Sequence, residues 1–175
     1  MRVAVSGSGG LVGAVVAASL ADAGDEVVRL VRRVPAEARR EVRWDPESGI
    51  VDASGLEGIS AVIHLAGENI AAGRWNARRK AAIRESRVEG TRILCGALAG
   101  LSRPPDTLVC ASAIGFYGDR GDELLTEGSV AGKGFLADVC RDWEAATAPA
   151  ARKGIRVVAL RIGVVLSQKG GALSR

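Results

Sequence analysis

A glycine string near the start of the chain restricts its fold more than any other feature. Gly7-Ser8-Gly9-Gly10-Leu11-Val12-Gly13 places glycines at 7, 10 and 13, with a further one at 9. It follows the short apolar run Val3-Ala4-Val5 and precedes an Ala/Leu/Val-rich segment from about Leu11 to Ala23. In the order strand, glycine turn, helix, the backbone can approach a phosphate at a helix N-terminus. Gly7 then permits the tight turn, and Gly9 and Gly10 leave room for a pyrophosphate. Gly10 is also read as a position of positive φ, and Gly13 lets the helix pack closely on the sheet. The string alone would equally suit a plain strand-to-helix turn; its flanks favour the ligand.

The rest of the chain alternates in the same way. Gly24 ends the first helix, and Glu26 to Val31 is a second strand rich in β-branched residues. Ala61 to Leu65 is a third, apolar throughout as a strand covered on both faces is. A helix is expected from Asn76 to Leu101, with Ile83, Gly90, Leu94, Leu98 and Leu101 on one side and Pro104-Pro105 forbidding its continuation. Thr107 to Ala111 is another strand, followed by a glycine-rich stretch from Gly115 to Gly134. Phe135, Val139, Trp143 and Ala146 mark a further helix that Pro149 should kink or end. The last strand runs from Arg156 to Leu160 and on towards Leu166, and a minor strand is placed around Val42-Trp44. The fold class is α/β: a doubly wound parallel sheet with helices on both faces, one domain over residues 1–175.

Composition removes several function classes. The 24 Lys and Arg against 20 Asp and Glu give a net charge of +4, but the basic groups Arg32-Arg33, Arg39-Arg40 and Arg78-Arg79-Lys80 are scattered. Phe116, Tyr117 and Phe135 do not interleave with them, so no nucleic-acid groove is expected. Three cysteines, Cys95, Cys110 and Cys140, form no CxxC pair and read as buried, reduced thiols. With His64 the single histidine, a multi-histidine metal site is impossible. Ser6 to Gly10 interrupts the apolar start where a signal peptide needs an unbroken core. No apolar run approaches the ~20 residues of a membrane span, so no membrane partner and a cytoplasmic location are expected.

The end of the second strand selects the nucleotide. Domains that bind NAD place an acidic residue about 20 positions beyond the glycines, on the ribose hydroxyls. Arg32 stands there, with Arg33 beside it. A guanidinium suits a 2′-phosphate and serves a bare diol poorly, so NADP is favoured over NAD. The plainer alternative is that both arginines are solvated loop residues.

Several strings resemble the short-chain dehydrogenase/reductase superfamily in its extended, NAD-dependent epimerase/dehydratase-like branch. They are Leu65-Ala66-Gly67-Glu68-Asn69-Ile70, Gly73-Arg74-Trp75-Asn76, Ser112-Ala113-Ile114-Gly115-Phe116-Tyr117-Gly118 and Leu160-Arg161-Ile162-Gly163-Val164-Val165-Leu166. More narrowly, the chain is similar to the "epimerase family protein" group. The resemblance implies a Rossmann-type domain in which Gly7, Gly9, Gly10, Leu11, Val12 and Gly13 hold the cofactor with Ala66 and Gly67. It also implies that Glu68 and Arg74 contact the adenosine or phosphates, with Leu160 near the nicotinamide; a loop salt bridge is the alternative for Glu68 and Arg74. Members of the extended branch continue for about 100 further residues into a substrate-binding region, a domain-sized piece. They also commonly dimerise through helices in the 76–101 region.

The chemistry departs from the superfamily pattern, in which a Tyr with a Lys four positions on moves the proton, helped by a Ser. The single tyrosine, Tyr117, has Gly121 four positions on, and the helix that should carry the pair has Phe135 and Leu136, then Val139 and Cys140. Ser112 remains near the serine's place, and Lys133 and His64 are further groups that could reach the site. His64 is either a proton carrier or a satisfied core residue. The expectation is an NADP-binding protein with oxidoreductase or sugar-epimerase-like chemistry on an unknown small molecule, using non-standard catalytic residues around Ser112 and Tyr117. The alternatives are a catalytically silent NADP-binding module and an interaction domain pairing through the 76–101 helix.

Overall fold

The chain enters its sheet at β1 (Arg2–Ser6), where Val3, Ala4, Val5 and Ser6 are all buried and place the strand mid-sheet. The computed structural model describes residues 1–168, 170 and 171. After β1 come α1 (Leu11–Asp22), β2 (Glu26–Val31), β3 (Glu41–Asp45) and the two-residue β4 (Ile50–Val51). Then follow β5 (Ala61–His64), α2 (Ala77–Gly100), β6 (Thr107–Ala113), α3 (Phe135–Ala145), α4 (Ala148–Arg152) and β7 (Arg156–Ile162). The seven strands form one sheet in the order β4-β3-β2-β1-β5-β6-β7, parallel throughout except for the β3–β4 pair.

This order fixes the ligand-binding end. The crossover from β1 to β2 steps one way along the sheet and that from β5 to β6 steps the other. Right-handed connections therefore put α1 on one face and α2 on the opposite one. The reversal lies between β1 and β5, and open sheets of this kind bind ligands beyond the strand ends at that point.

The core forms where β1, β5 and β6 meet α2 and α3. Ala4, Val62 and Leu108 pack with Leu94, Leu98, Leu101 and Trp143. Leu94 and Leu98 are fully buried, each contributing roughly 1.5–3 kcal/mol relative to exposure. Asn76 caps α2 by accepting the Arg79 N–H at 2.8 Å, which starts the helix one residue later than its periodicity suggests. None of the described helices is long and apolar enough to cross a membrane.

Three elements differ from the sequence reading. Pro149 neither kinks nor ends the 135–146 helix: α3 stops at Ala145, and Pro149 lies in the first turn of α4, where its missing N–H is not needed. The last strand does not reach Leu166. It ends at Ile162, and Leu166–Ser167 (β8) pairs antiparallel with Gly170–Gly171 (β9) in a separate hairpin. Strand β6 runs to Ala113, so Ser112 lies inside the ladder, opposite Arg161.

Candidate functional site

Beyond the ends of β1, β2 and β5 opens a cleft of about 1100 Å³. Gly7, Gly9 and Gly10 form its floor, Arg32 and Arg33 its outer rim, and Ala66, Gly67 and Glu68 its inner wall. Gly7 carries the left-handed backbone, with φ 68°, and a Cβ there would meet the Leu65–Ala66 backbone at 2.9 Å. Gly10 does not need positive φ: it is the N-cap of α1 at φ −81°, extended backbone open to any residue. Its restriction is crowding instead, since a Cβ would stand 3.3 Å from the Gly7 carbonyl oxygen. Over Gly9 a Cβ would meet nothing within 4 Å, and at Gly13 it would overlap the Gly7 carbonyl. No side chain caps α1, so its first N–H groups are left for a ligand at the loop. The loop thus has the room and the donors that a pyrophosphate requires.

The two arginines at the rim are not equivalent. Arg33 donates from Nη1 and Nη2 to the two oxygens of Glu41, at 2.9 and 2.5 Å. Those bonds, with a third from the Ala36 N–H, hold the Glu41 carboxyl down at about 2. Arg32 is 71% exposed and, among the described residues, pairs with Glu47 alone, itself 81% exposed, at 3.3 Å. An exposed pair of this kind contributes little, so Arg32 is free to turn to a ligand while Arg33 is held. On the inner wall Glu68 accepts from Arg79 Nη1 at 2.7 Å, and Arg79 also holds the Asn69 carbonyl. Arg74 is exposed and stands outside the cleft lining. Leu11, Val12 and Leu160 also lie outside it; the Leu11 side chain faces Gly170 of the β8–β9 hairpin, and Leu160 is 43% exposed on β7.

Behind the floor runs a buried polar chain. Ser6 Oγ accepts the N–H groups of Leu65 and Ala66 at 3.1 and 3.3 Å and stands 2.6 Å from His64 Nδ1. With both acceptor positions used, the serine hydroxyl donates to Nδ1, so Nε2 carries the ring proton. That N–H donates to Thr91 Oγ1 at 2.9 Å, and Trp143 Nε1 donates to the same oxygen at 2.9 Å. Burial lowers the His64 pKa to about 4. Of its two readings, the satisfied core residue is the one the structure supports.

The end of β6 and β7 is built differently. Ser112, only 2% exposed, donates to Glu144 Oε1 at 2.6 Å. Arg161 forks onto the same carboxylate, from Nε at 2.9 Å and from Nη2 at 3.0 Å. Its Nη1 donates to the Tyr117 hydroxyl at 2.8 Å and to the Glu127 carbonyl at 3.0 Å, and its plane lies 3.5 Å over the Phe116 ring. Burial alone would raise the Glu144 pKa, but the bonds from Arg161 and Ser112 outweigh it and lower it. The bond to Glu144 raises that of Arg161. The cation beside Tyr117 therefore comes from β7, while Gly121 stands four positions beyond the tyrosine. Ser112 has its proton committed and is left as an acceptor. Lys133 is exposed, and burial pushes the Cys140 thiol up.

The Glu144–Arg161 pair went unread in the sequence, although one signal pointed to it. Arg161 is a charge at the end of an otherwise apolar run, and a half-buried guanidinium requires a partner. Cys95, Cys110 and Cys140 are all free and buried, as their spacing suggested.

Comparison with known proteins agrees with the glycine cradle and the sheet order. Residues 3–170 match the model of the NAD dependent epimerase/dehydratase family. Epimerase family protein Mb2239 of Mycobacterium bovis is 46% identical over 173 residues, covering 99% of this chain and 56% of its own. A nucleoside-diphosphate sugar epimerase from Corynebacterium glutamicum superposes with a TM-score of 0.85 at 47% identity, over 99% of this chain and 36% of that one. Human epimerase family protein SDR39U1 (isoform 2), solved with NADPH, gives 0.86 at 32% identity, over 99% and 57%. The chain spans about half the length of the curated relatives it matches, 56% in the Mycobacterium bovis protein. With its glycine loop, switch-point cleft and family match over residues 3–170, the chain belongs to the NAD-dependent epimerase/dehydratase family.

Proposed function

We propose that the chain binds NADP(H) in the cleft along the glycine loop, with the pyrophosphate at the α1 N-terminus and the 2′-phosphate on Arg32. The observation that carries this reading is the open backbone over Gly9 facing an uncommitted Arg32 at the rim. The NADPH in the human relative's structure supports the same choice. Such a cofactor supplies or accepts a hydride. The chain's own residues bind and orient it, through the α1 amides, the small wall at Ala66-Gly67 and the guanidinium of Arg32.

The corresponding chemistry is oxidoreductase or sugar-epimerase-like, on a small molecule, with Tyr117, held by Arg161 at the end of β6, as a non-standard proton carrier in place of the Tyr-Lys pair that α3 does not carry. A nucleotide-binding module without chemistry is the second reading, favoured by the commitment of the Ser112 proton to Glu144. Self-association through α2 and a cytoplasmic location, suggested by three free buried thiols, complete the proposal. Calorimetric titration tests its core: NADPH should bind more tightly than NADH. Arg32→Ala should erase the difference, about 1–3 kcal/mol for a charge-assisted phosphate contact, whereas Arg33→Ala should leave it in place. Equal affinities in the parent chain would overturn the choice of NADP.

A further inference from the structure

Beyond the cleft, the segments that follow β5 and β6 meet in an aromatic corner. Trp75 comes from the segment after β5, and Phe135 opens α3 after β6; their rings stand 5.7 Å apart at 71°. Lys80, in the first turn of α2, holds its Nζ 5.3 Å from the centre of the Phe135 ring. Next along α3, Leu136 packs on the turn after β6, where a Cβ on Gly115 would stand 3.3 Å from its own. Trp75 is 40% exposed, whereas Trp44 and Trp143 are 4% and 5% exposed. An indole left in solvent beside a second ring is a ready surface for a flat apolar group.

The polar groups around this corner are committed within the fold. The Trp75 indole N–H donates to the Ile70 carbonyl at 2.8 Å, and Asn76 Oδ1 caps α2. Arg79 is taken by Glu68, and Asp138 accepts from Arg141 at 2.7 Å. Lys80 differs: it has no carboxylate at ion-pair distance among the described residues and meets the Phe135 ring instead. A sugar would bring several hydroxyls into this corner, and each one left unpaired there is unfavourable. A flat hydrocarbon body with one negative group needs only what is present, two ring surfaces and one ammonium. One cation matches one charge, which is that of a carboxylate.

Resting on the reading of the chain as an NADP(H)-dependent enzyme on a small molecule, we propose that its substrate class is a carboxylate with a flat apolar body. The body lies against Trp75 and Phe135, and the charge pairs with Lys80. The corner borders the cleft through Glu68, which lines the cleft wall and is held by the residue before Lys80. Such a molecule therefore lies beside the cofactor, at the strand ends where open sheets bind their ligands.

Benzoate, its neutral counterpart benzamide and UDP-glucose probe the corner of the NADPH-saturated chain. The readout is the indole N–H signal of Trp75 in proton–nitrogen spectra, identified by its loss in Trp75→Phe. Benzoate should shift that signal saturably and bind about fivefold more tightly than benzamide, as one exposed ion pair allows. UDP-glucose should leave the signal in place. Lys80→Met should bring benzoate to the level of benzamide, and Lys80→Arg should keep the preference. Equal binding of benzoate and benzamide by the parent chain overturns the carboxylate, and a Trp75 signal that answers UDP-glucose but not benzoate overturns the class. A preference for benzoate that survives in Lys80→Met puts the charge elsewhere and overturns the proposal as well. NADPH binding by calorimetry, with no response to benzoate, overturns this proposal alone. If NADPH does not bind the parent chain, the cofactor reading fails and the substrate role falls with it.

Discussion

The two halves of the strand-end surface solve opposite problems. Around β1, β2 and β5 the surface is backbone: glycines at 7, 9 and 10, an uncapped helix start and an open cleft of about 1100 Å³. Around β6 and β7 it is side chain, with Ser112, Glu144, Arg161 and Tyr117 satisfying one another. The first half has helix-start donors that no side chain caps and room in front of them, which is what a ligand site requires. The second has its polar groups paired before any ligand arrives. Binding capacity and internal cohesion are therefore carried by different residues and should be separable by mutation.

The largest effect should come from breaking the filled half. Glu144→Ala removes the carboxylate that Arg161 and Ser112 share and strands a half-buried guanidinium. Breaking a buried ion pair by deleting one partner costs about 3–5 kcal/mol, and the side chains here, 19% and 20% exposed, place the loss near the lower figure. Urea denaturation should show that loss, with NADPH affinity in the surviving folded fraction unchanged. A stability loss below about 1 kcal/mol would mean that the pair is solvated and that the two halves do not differ as described.

Between the halves stands His64, bonded to Ser6 under the glycine loop and to Thr91 beneath Trp143. Its pKa is depressed to about 4 by burial, below the ordinary 6.5, so between these values the unfolded chain binds more proton than the folded one. The stabilising contribution is whole above pH 6.5 and is lost as pH falls towards 4, amounting to about 3 kcal/mol at full extent. Stability measured from pH 7 to pH 4 should show that decline, and His64→Gln, less stable at pH 7, should show a flatter profile. Identical slopes in the two proteins would assign the acid sensitivity to the carboxylates instead.

The open half should respond in the reverse sense to the filled one. Gly9→Val sets two methyl groups where a Cβ meets nothing within 4 Å, so the fold should not register the change. The methyls would occupy the space over the loop that a pyrophosphate needs. NADPH affinity should fall at least a hundredfold, about 2.7 kcal/mol, with the thermal midpoint unmoved. Retained affinity would show that the cleft over Gly9 is a turn and nothing more.

The same contrast explains what could be read from the sequence. The open half was legible because its requirement is local: strand, glycines and helix are contiguous from Val3 to Asp22, and small residues at fixed spacing record where side chains must be absent. Arg32 was legible for the same reason, as a charge at a strand end, but its division of labour with Arg33 was not. That division depends on Glu41, which reaches Arg33 only because β3 pairs alongside β2. The filled half is assembled across the fold, by partners 17, 32 and 44 residues apart. No spacing rule connects them, and the search for a lysine four positions beyond Tyr117 looked along the chain for a cation that the sheet supplies from the side.

Tyr117 gives the smallest and most discriminating effect. Its ring is 9% exposed and its oxygen accepts from Arg161 Nη1 at 2.8 Å, while that nitrogen also reaches the Glu127 carbonyl at 3.0 Å. Tyr117→Phe keeps the ring and its edge contact with Phe116, 5.3 Å away, and removes one acceptor of several. Because Arg161 retains both Glu144 oxygens and the Glu127 carbonyl, the loss should be about 1 kcal/mol, the worth of one hydrogen bond to a charged group with solvent close at hand. NADPH affinity should not change, since Tyr117 lies outside the cleft lining. A tenfold fall in affinity with stability preserved would place the hydroxyl against the cofactor, and the boundary between the open and filled halves would then run through Arg161 instead of beside it.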